Sequence, residues 1–149
     1  MFTERRFNTG NVELNFAEGP SNGNALVMLH GISNWWRHFL PIMPALCFRH
    51  HIHALDFRGC GHSGRMPGTY SIADYAADVI AFIEKNFTEP VDLLGHSLGA
   101  HVSLVVANAI PKHIRSVIAF GPDPRPCWTQ MFSMPRFCAI PMWDMIRKL

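Results

Sequence analysis

At 149 residues, 48% of them apolar and with a formal charge of +2, the chain has the material for one domain around a single core and too much of it for a disordered polymer. Thirteen basic against eleven acidic residues leave no basic stripe, which argues against a nucleic-acid partner, and no apolar run approaches the about 20 residues of a membrane helix. Cys47, Cys60, Cys127 and Cys138 form no C-x-x-C pair, and Met1 to Arg6 lacks the apolar stretch of a leader, so free thiols in a reducing cytoplasm are expected.

Thr3 to Phe7 and Val12 to Phe16 alternate around Asn8-Thr9-Gly10-Asn11, a cluster suited to a tight turn, and predict a hairpin. Ala25 to Leu29 is a continuous apolar run, the pattern of a strand buried on both faces. Trp35 to Leu46 reads as a helix that Pro41 and Pro44 break or kink. His51 to Leu55 is a further short strand ending at Asp56, and the Gly- and Arg-rich stretch from Phe57 to Thr69 is a loop.

Ser71 with Asp74 three residues on has the form of a capping box. Ile72, Tyr75, Ala76, Val79, Ile80, Ile83 and Phe87 follow at helical spacing, with Asp78 and Glu84 assigned to the solvent side. Beyond Pro90, Val91 to Leu94 predicts a strand, Ala100 to Ala109 a helix, and Ile114 to Phe120 one more buried strand. Alternation of strand and helix from residue 25 onward calls for a parallel sheet with right-handed crossovers, its functional loops at the carboxyl ends of the strands. The remainder, Pro122 to Leu149, is rich in Pro, Trp, Phe and Met, with a short helix expected over Met142 to Leu149.

The loops at those strand ends carry the chemistry. Gly95-His96-Ser97-Leu98-Gly99 places a serine on a strand-to-helix turn, where flanking glycines leave room for close backbone and the helix amino end favours negative charge. His30-Gly31 follows the third strand, and Asp56-Phe57-Arg58-Gly59-Cys60-Gly61-His62-Ser63 follows the fourth. In order and spacing these three segments resemble the HG motif, the D-x-R-G-x-G-x-S loop and the nucleophile elbow of serine-type α/β-hydrolases. The resemblance covers roughly residues 3 to 123, and it implies the amino-terminal portion of that α/β fold: a mostly parallel sheet preceded by a hairpin.

It further implies Ser97 as nucleophile, with the backbone amides of Ile32 and Leu98 as the oxyanion hole. The expected reaction is attack on the carbonyl of a small carboxylic ester or related acyl compound through an acyl-enzyme, which calls for no cofactor. A serine at the elbow also separates the chain from relatives that place aspartate there. The family order is serine, acid, histidine, yet the last histidine, His113, precedes the final predicted strand. Residues 1–123 are therefore expected to be part of the core and 124–149 the start of a cap, with the base outside the chain. Asp123 is a candidate acid, since some relatives carry theirs after this strand; the plainer reading is a turn aspartate between prolines.

His101, a turn inside the helix, is set aside as base because a histidine there bonds locally; His96 is expected to support the sheet, and His30 to be structural or to line the pocket. Trp35 and Trp36 either line an acyl pocket or cover the core. Asp56 and Arg58 are assigned to a loop-stabilising salt bridge and turn, and Cys60 to a spectator thiol. His51 and His53 share a strand face, but with no carboxylate or cysteine at matching spacing no metal site is predicted. The alternative to an enzyme is a non-catalytic fold remnant serving as a binding or oligomerisation module, whose exposed sheet edge would need a homodimer or another chain to cover it.

Overall fold

The computed structural model describes residues 1–121 and the strand Phe137–Ile140. Strands β1 (Thr3–Asn8) and β2 (Glu13–Glu18) form the expected hairpin, pairing Thr3 with Glu18 and Asn8 with Glu13. The sheet continues with β3 (Asn24–Leu29), β4 (His50–Leu55), β5 (Val91–His96), β6 (Ile114–Phe120) and β7 (Phe137–Ile140), in the spatial order β1-β2-β4-β3-β5-β6-β7. Pairing from β4 across to β7 is parallel, whereas β2 runs antiparallel to β4. The sequence reading holds the first six strands; β7 lies in the segment it assigned to no strand.

Because β4 and β5 flank β3 on opposite sides, the chain reverses its winding at β3, and a crevice opens at the carboxyl ends of these central strands. Side chains of β3 alternate between two cores. Val27 and Leu29 pack with Val79, Phe82 and Ile83 of α2 (Ile72–Asn86) and with Val102 and Val106 of α3 (Leu98–Ala109). Leu26 and Met28 face the other way, onto Trp36, Phe39 and Met43.

The segment predicted as one helix over Trp35 to Leu46 is two pieces, a 3-10 turn at Trp36–Phe39 and the short α1 (Met43–Leu46). Pro44 stands in the first turn of α1, where the missing N–H has no helical partner to lose. The capping box of α2 is complete: the Ser71 hydroxyl accepts from Asp74 N–H at 3.1 Å, and Asp74 returns the bond to Ser71 N–H at 2.9 Å.

Asp78 corrects the sequence reading. It is 2% exposed rather than solvent-facing, because the Arg58 guanidinium reaches it from the β4–α2 loop with two bonds of 2.7 Å. That bond to Asp78 raises the guanidinium pKa further above its ordinary value. Among the described residues, no helix is long and apolar enough to cross a membrane.

Candidate active site at the strand ends

Ser97 follows the last residue of β5 and precedes α3, with φ 51° and ψ −112°. A non-glycine residue in that left-handed region is strained by about 1–3 kcal/mol and persists only where its surroundings fix it. Here they do. Ser97 N–H donates to Phe120 O at 3.0 Å, and Gly99 N–H donates to His30 O at 3.1 Å, tying the elbow to β6 on one side and to the end of β3 on the other. The flanking glycines are required by space: a Cβ on Gly99 would stand 2.0 Å from Leu29 O, and one on Gly95 2.3 Å from Gly99 O.

The His30-Gly31 loop abuts the elbow directly. A Cβ on Gly31 would lie 3.0 Å from His96 Nδ1 and 3.3 Å from Ser97 Cβ, so a side chain there would crowd the His96 ring and the nucleophile position. Beyond Gly31 the chain emerges at Ile32, which is 74% exposed, and turns through Ser33 at φ 57°. His30 itself is fully buried. Its Nε2 accepts from Phe57 N–H at 3.0 Å and its Nδ1 donates to Gly31 O at 2.7 Å, a pairing only the neutral ring with hydrogen on Nδ1 can make. Burial holds its pKa below the ordinary histidine value. His30 therefore braces the loop rather than moving protons.

Asp56 is a second brace. Its Oδ1 accepts from Trp36 N–H at 2.6 Å; its Oδ2 accepts from Asn15 Nδ2 at 2.8 Å and from His62 N–H at 3.0 Å. Gly61 is compelled by this arrangement, since its φ is +50° and a Cβ would stand 2.2 Å from Asp56 Oδ2. Ser63 completes the junction, donating to Asp56 O at 2.6 Å and accepting from Asn15 N–H at 2.8 Å. Asp56 and Arg58 are thus structural: Arg58 pairs with Asp78 on α2 and also donates to Thr69 O at 3.2 Å and Thr69 Oγ1 at 2.9 Å within the loop. Cys60 is half-buried, and burial beside Asp56 pushes its thiol pKa up, away from the reactive thiolate.

His101 bonds locally, its Nδ1 lying 3.1 Å from the main-chain carbonyl of Ser97. His96 stacks between His38 and Phe120, with ring centroids 5.0 and 4.9 Å away, and burial followed by His38 lowers its pKa. Among the described residues no imidazole is hydrogen-bonded to the Ser97 hydroxyl. Trp36 belongs to the core: it is 6% exposed and its indole N–H donates to Glu4 Oε1 at 3.3 Å. Trp35 stays half-buried beside the loop, its ring 5.5 Å from that of His62 and beneath the Arg37 guanidinium. Asp123 and the predicted helix at Met142 to Leu149 lie outside the described residues.

A strained serine between two obligatory glycines, packed on a glycine loop at the reversal of a parallel sheet, agrees with a family match: a model described as the alpha/beta hydrolase fold covers residues 24–140. The chain belongs to the alpha/beta hydrolase fold family. Among members of that family, 2-(acetamidomethylene)succinate hydrolase of Mesorhizobium japonicum is 36% identical over 123 residues, which span 83% of this chain and 44% of that protein. A 2-hydroxy-6-oxo-2,4-heptadienoate hydrolase of Pseudomonas putida is 28% identical over 116 residues, 75% of this chain and 42% of its own. The crystal structure of E-2-(acetamidomethylene)succinate hydrolase matches at a TM-score of 0.76 and 36% identity, covering 81% of this alpha/beta hydrolase chain and 45% of the other. The chain spans less than half the length of these relatives.

Glu18, at the end of β2, is the register partner of His53 and lies 3.0 Å from His51 Nε2. The carboxylate that local spacing withheld from the two histidines is supplied across the antiparallel β2–β4 ladder, a pairing between segments more than thirty residues apart.

Proposed function

We propose that Ser97 is the nucleophile of a serine hydrolase that acts on a small carboxylic ester or related acyl substrate. The observation that carries this reading is the left-handed backbone of Ser97, held between Gly95 and Gly99 where any side chain would strike backbone. Such strain has no packing benefit of its own and serves to lift a hydroxyl out of the sheet. The Ser97 oxygen would attack the substrate carbonyl carbon, and the Ile32 and Leu98 amides would receive the oxyanion, each donor worth about 3 kcal/mol. Collapse of the tetrahedral intermediate would expel the alcohol or amine and leave an acyl-enzyme that water cleaves.

The activating histidine is inferred to come from the part of the whole protein that corresponds to the remaining length of the relatives, with residues 124–149 leading into a cap over the pocket. Asp123 is retained as candidate acid and Trp35 as a wall of the acyl pocket. The named substrates of the two hydrolase relatives are both carboxylates bearing a further carbonyl group, which supports a small acyl substrate of that kind.

A fluorophosphonate probe tests the assignment in the protein carrying this chain with any continuation of its reading frame. Labelling of the Ser97 peptide, abolished in S97A, is the expected result. A folded protein that does not label would instead favour the non-catalytic binding or oligomerisation module.

A further inference from the structure

We propose that Glu18, His51 and His53 form a binding site for a borderline transition-metal dication such as Zn2+, at the end of the sheet opposite Ser97. The placement follows from topology. His51 and His53 lie towards the amino end of β4, and Glu18 ends β2, which runs antiparallel to β4. His30, Asp56 and Ser97 all follow the carboxyl ends of their strands. This cluster therefore lies outside the hydrolase machinery and does not depend on it.

Two observations point independently to a ligand. The first is geometry. One donor atom from each of the three residues lies within 4.8 Å of the other two, at an open pocket of about 380 Å³ lined also by Arg5, Phe16, Asn86 and Phe87. In a tetrahedral zinc site with bonds of about 2.0–2.1 Å the ligand atoms stand about 3.3 Å apart, so modest side-chain rotation closes the set. The second is His53 itself. It is 5% exposed, yet neither ring nitrogen has a hydrogen-bond partner. A buried imidazole with both nitrogens unanswered is an anomaly for a structural residue, whereas a metal answers one of them directly.

The donor set decides the class of ion. Two imidazoles and one carboxylate suit Zn2+ and its neighbours in the transition series; Ca2+ and Mg2+ seek oxygen ligands. Three protein ligands leave a tetrahedral ion one open position toward the pocket. The carboxyl end of α2, at Asn86 and Phe87, borders the same pocket, and the helix dipole adds negative potential there. Arg5 opposes binding, because its guanidinium pairs with Glu18 Oε2 and would have to yield to the ion.

Calorimetric titration of the metal-stripped protein carrying this chain, with any continuation of its reading frame, tests the proposal with zinc chloride. His51 and Glu18 are only partly buried, so H51N and E18Q keep the fold, which circular dichroism verifies, whereas a His53 variant alone would be ambiguous. The expected result is a single equivalent bound by the wild type, weakened at least about tenfold in each of the two variants and unchanged in H113N. R5Q is expected to bind several-fold tighter. No saturable binding below millimolar zinc, or binding that H51N or E18Q leaves unchanged, overturns the site.

Discussion

His30 and His53 are both buried, one just past the end of β3 and the other within β4, and the chain treats them in opposite ways. His30 has both ring nitrogens engaged and clamps the glycine loop to the strand-end backbone. His53 sits among Phe16, Phe82 and Phe87 with both nitrogens unpartnered, and burial, aided by neighbouring His51, lowers its pKa to about 4. The same side chain is thus a satisfied girder at one end of the sheet and an unmet demand at the other. A histidine's role is read from where its hydrogen bonds go.

Three substitutions sharpen that contrast, and the largest effect belongs to the Ser97 end. Arg58→Met leaves the buried Asp78 carboxylate without its cation and is expected to cost about 3–5 kcal/mol in urea unfolding. The double variant Arg58→Met, Asp78→Leu should recover most of that loss. If the single variant unfolds at the wild-type midpoint, the ion pair is not what anchors the loop to α2.

Next comes His30→Phe, expected to cost about 2–4 kcal/mol because Phe57 N–H and Gly31 O lose their partner at a fully buried position. The same residue gives stability a pH dependence with a definite sign. Its folded pKa lies below the ordinary 6.5, so between the two values the unfolded chain carries the extra proton. The contribution of His30 is complete above about 6.5 and is lost as pH falls through the folded value. Unfolding curves across that window should converge for wild type and His30→Phe as the pH drops.

The smallest effect is expected at the other end. His53→Phe removes no hydrogen bond and extends an aromatic cluster, so in metal-free buffer its stability should lie within about 1 kcal/mol of wild type or above it. A loss as large as that of His30→Phe would mean that His53 has a structural partner after all, and the contrast between the two histidines would fail.

What the sequence made legible was whatever is local. The hairpin, the buried strands, the Ser71 cap and the three loop motifs each occupy consecutive residues, and local periodicity or backbone demand writes them directly. Ser97 and its two glycines belong to this class. Contacts between distant segments were not legible. Asp78 looked solvent-facing because helical spacing cannot show an arginine arriving from a loop twenty residues earlier. Glu18 was invisible beside His51 and His53 because it depends on the register of a long-range antiparallel pair. Trp36 suits pocket or core equally in the sequence, and its two N–H groups, committed to Asp56 and Glu4, place it in the core. Even β7 depends on a neighbour, β6 being its strand partner among the described residues.

The Asp56 carboxylate has a mechanical consequence. A single side chain grips the hairpin through Asn15, the β3–β4 connection through Trp36 and its own loop through His62. These segments are therefore expected to move as one plate, since none can tilt without breaking a bond held in common. The projecting Ile32-Ser33 turn, at the mouth of the crevice, lies outside that grip.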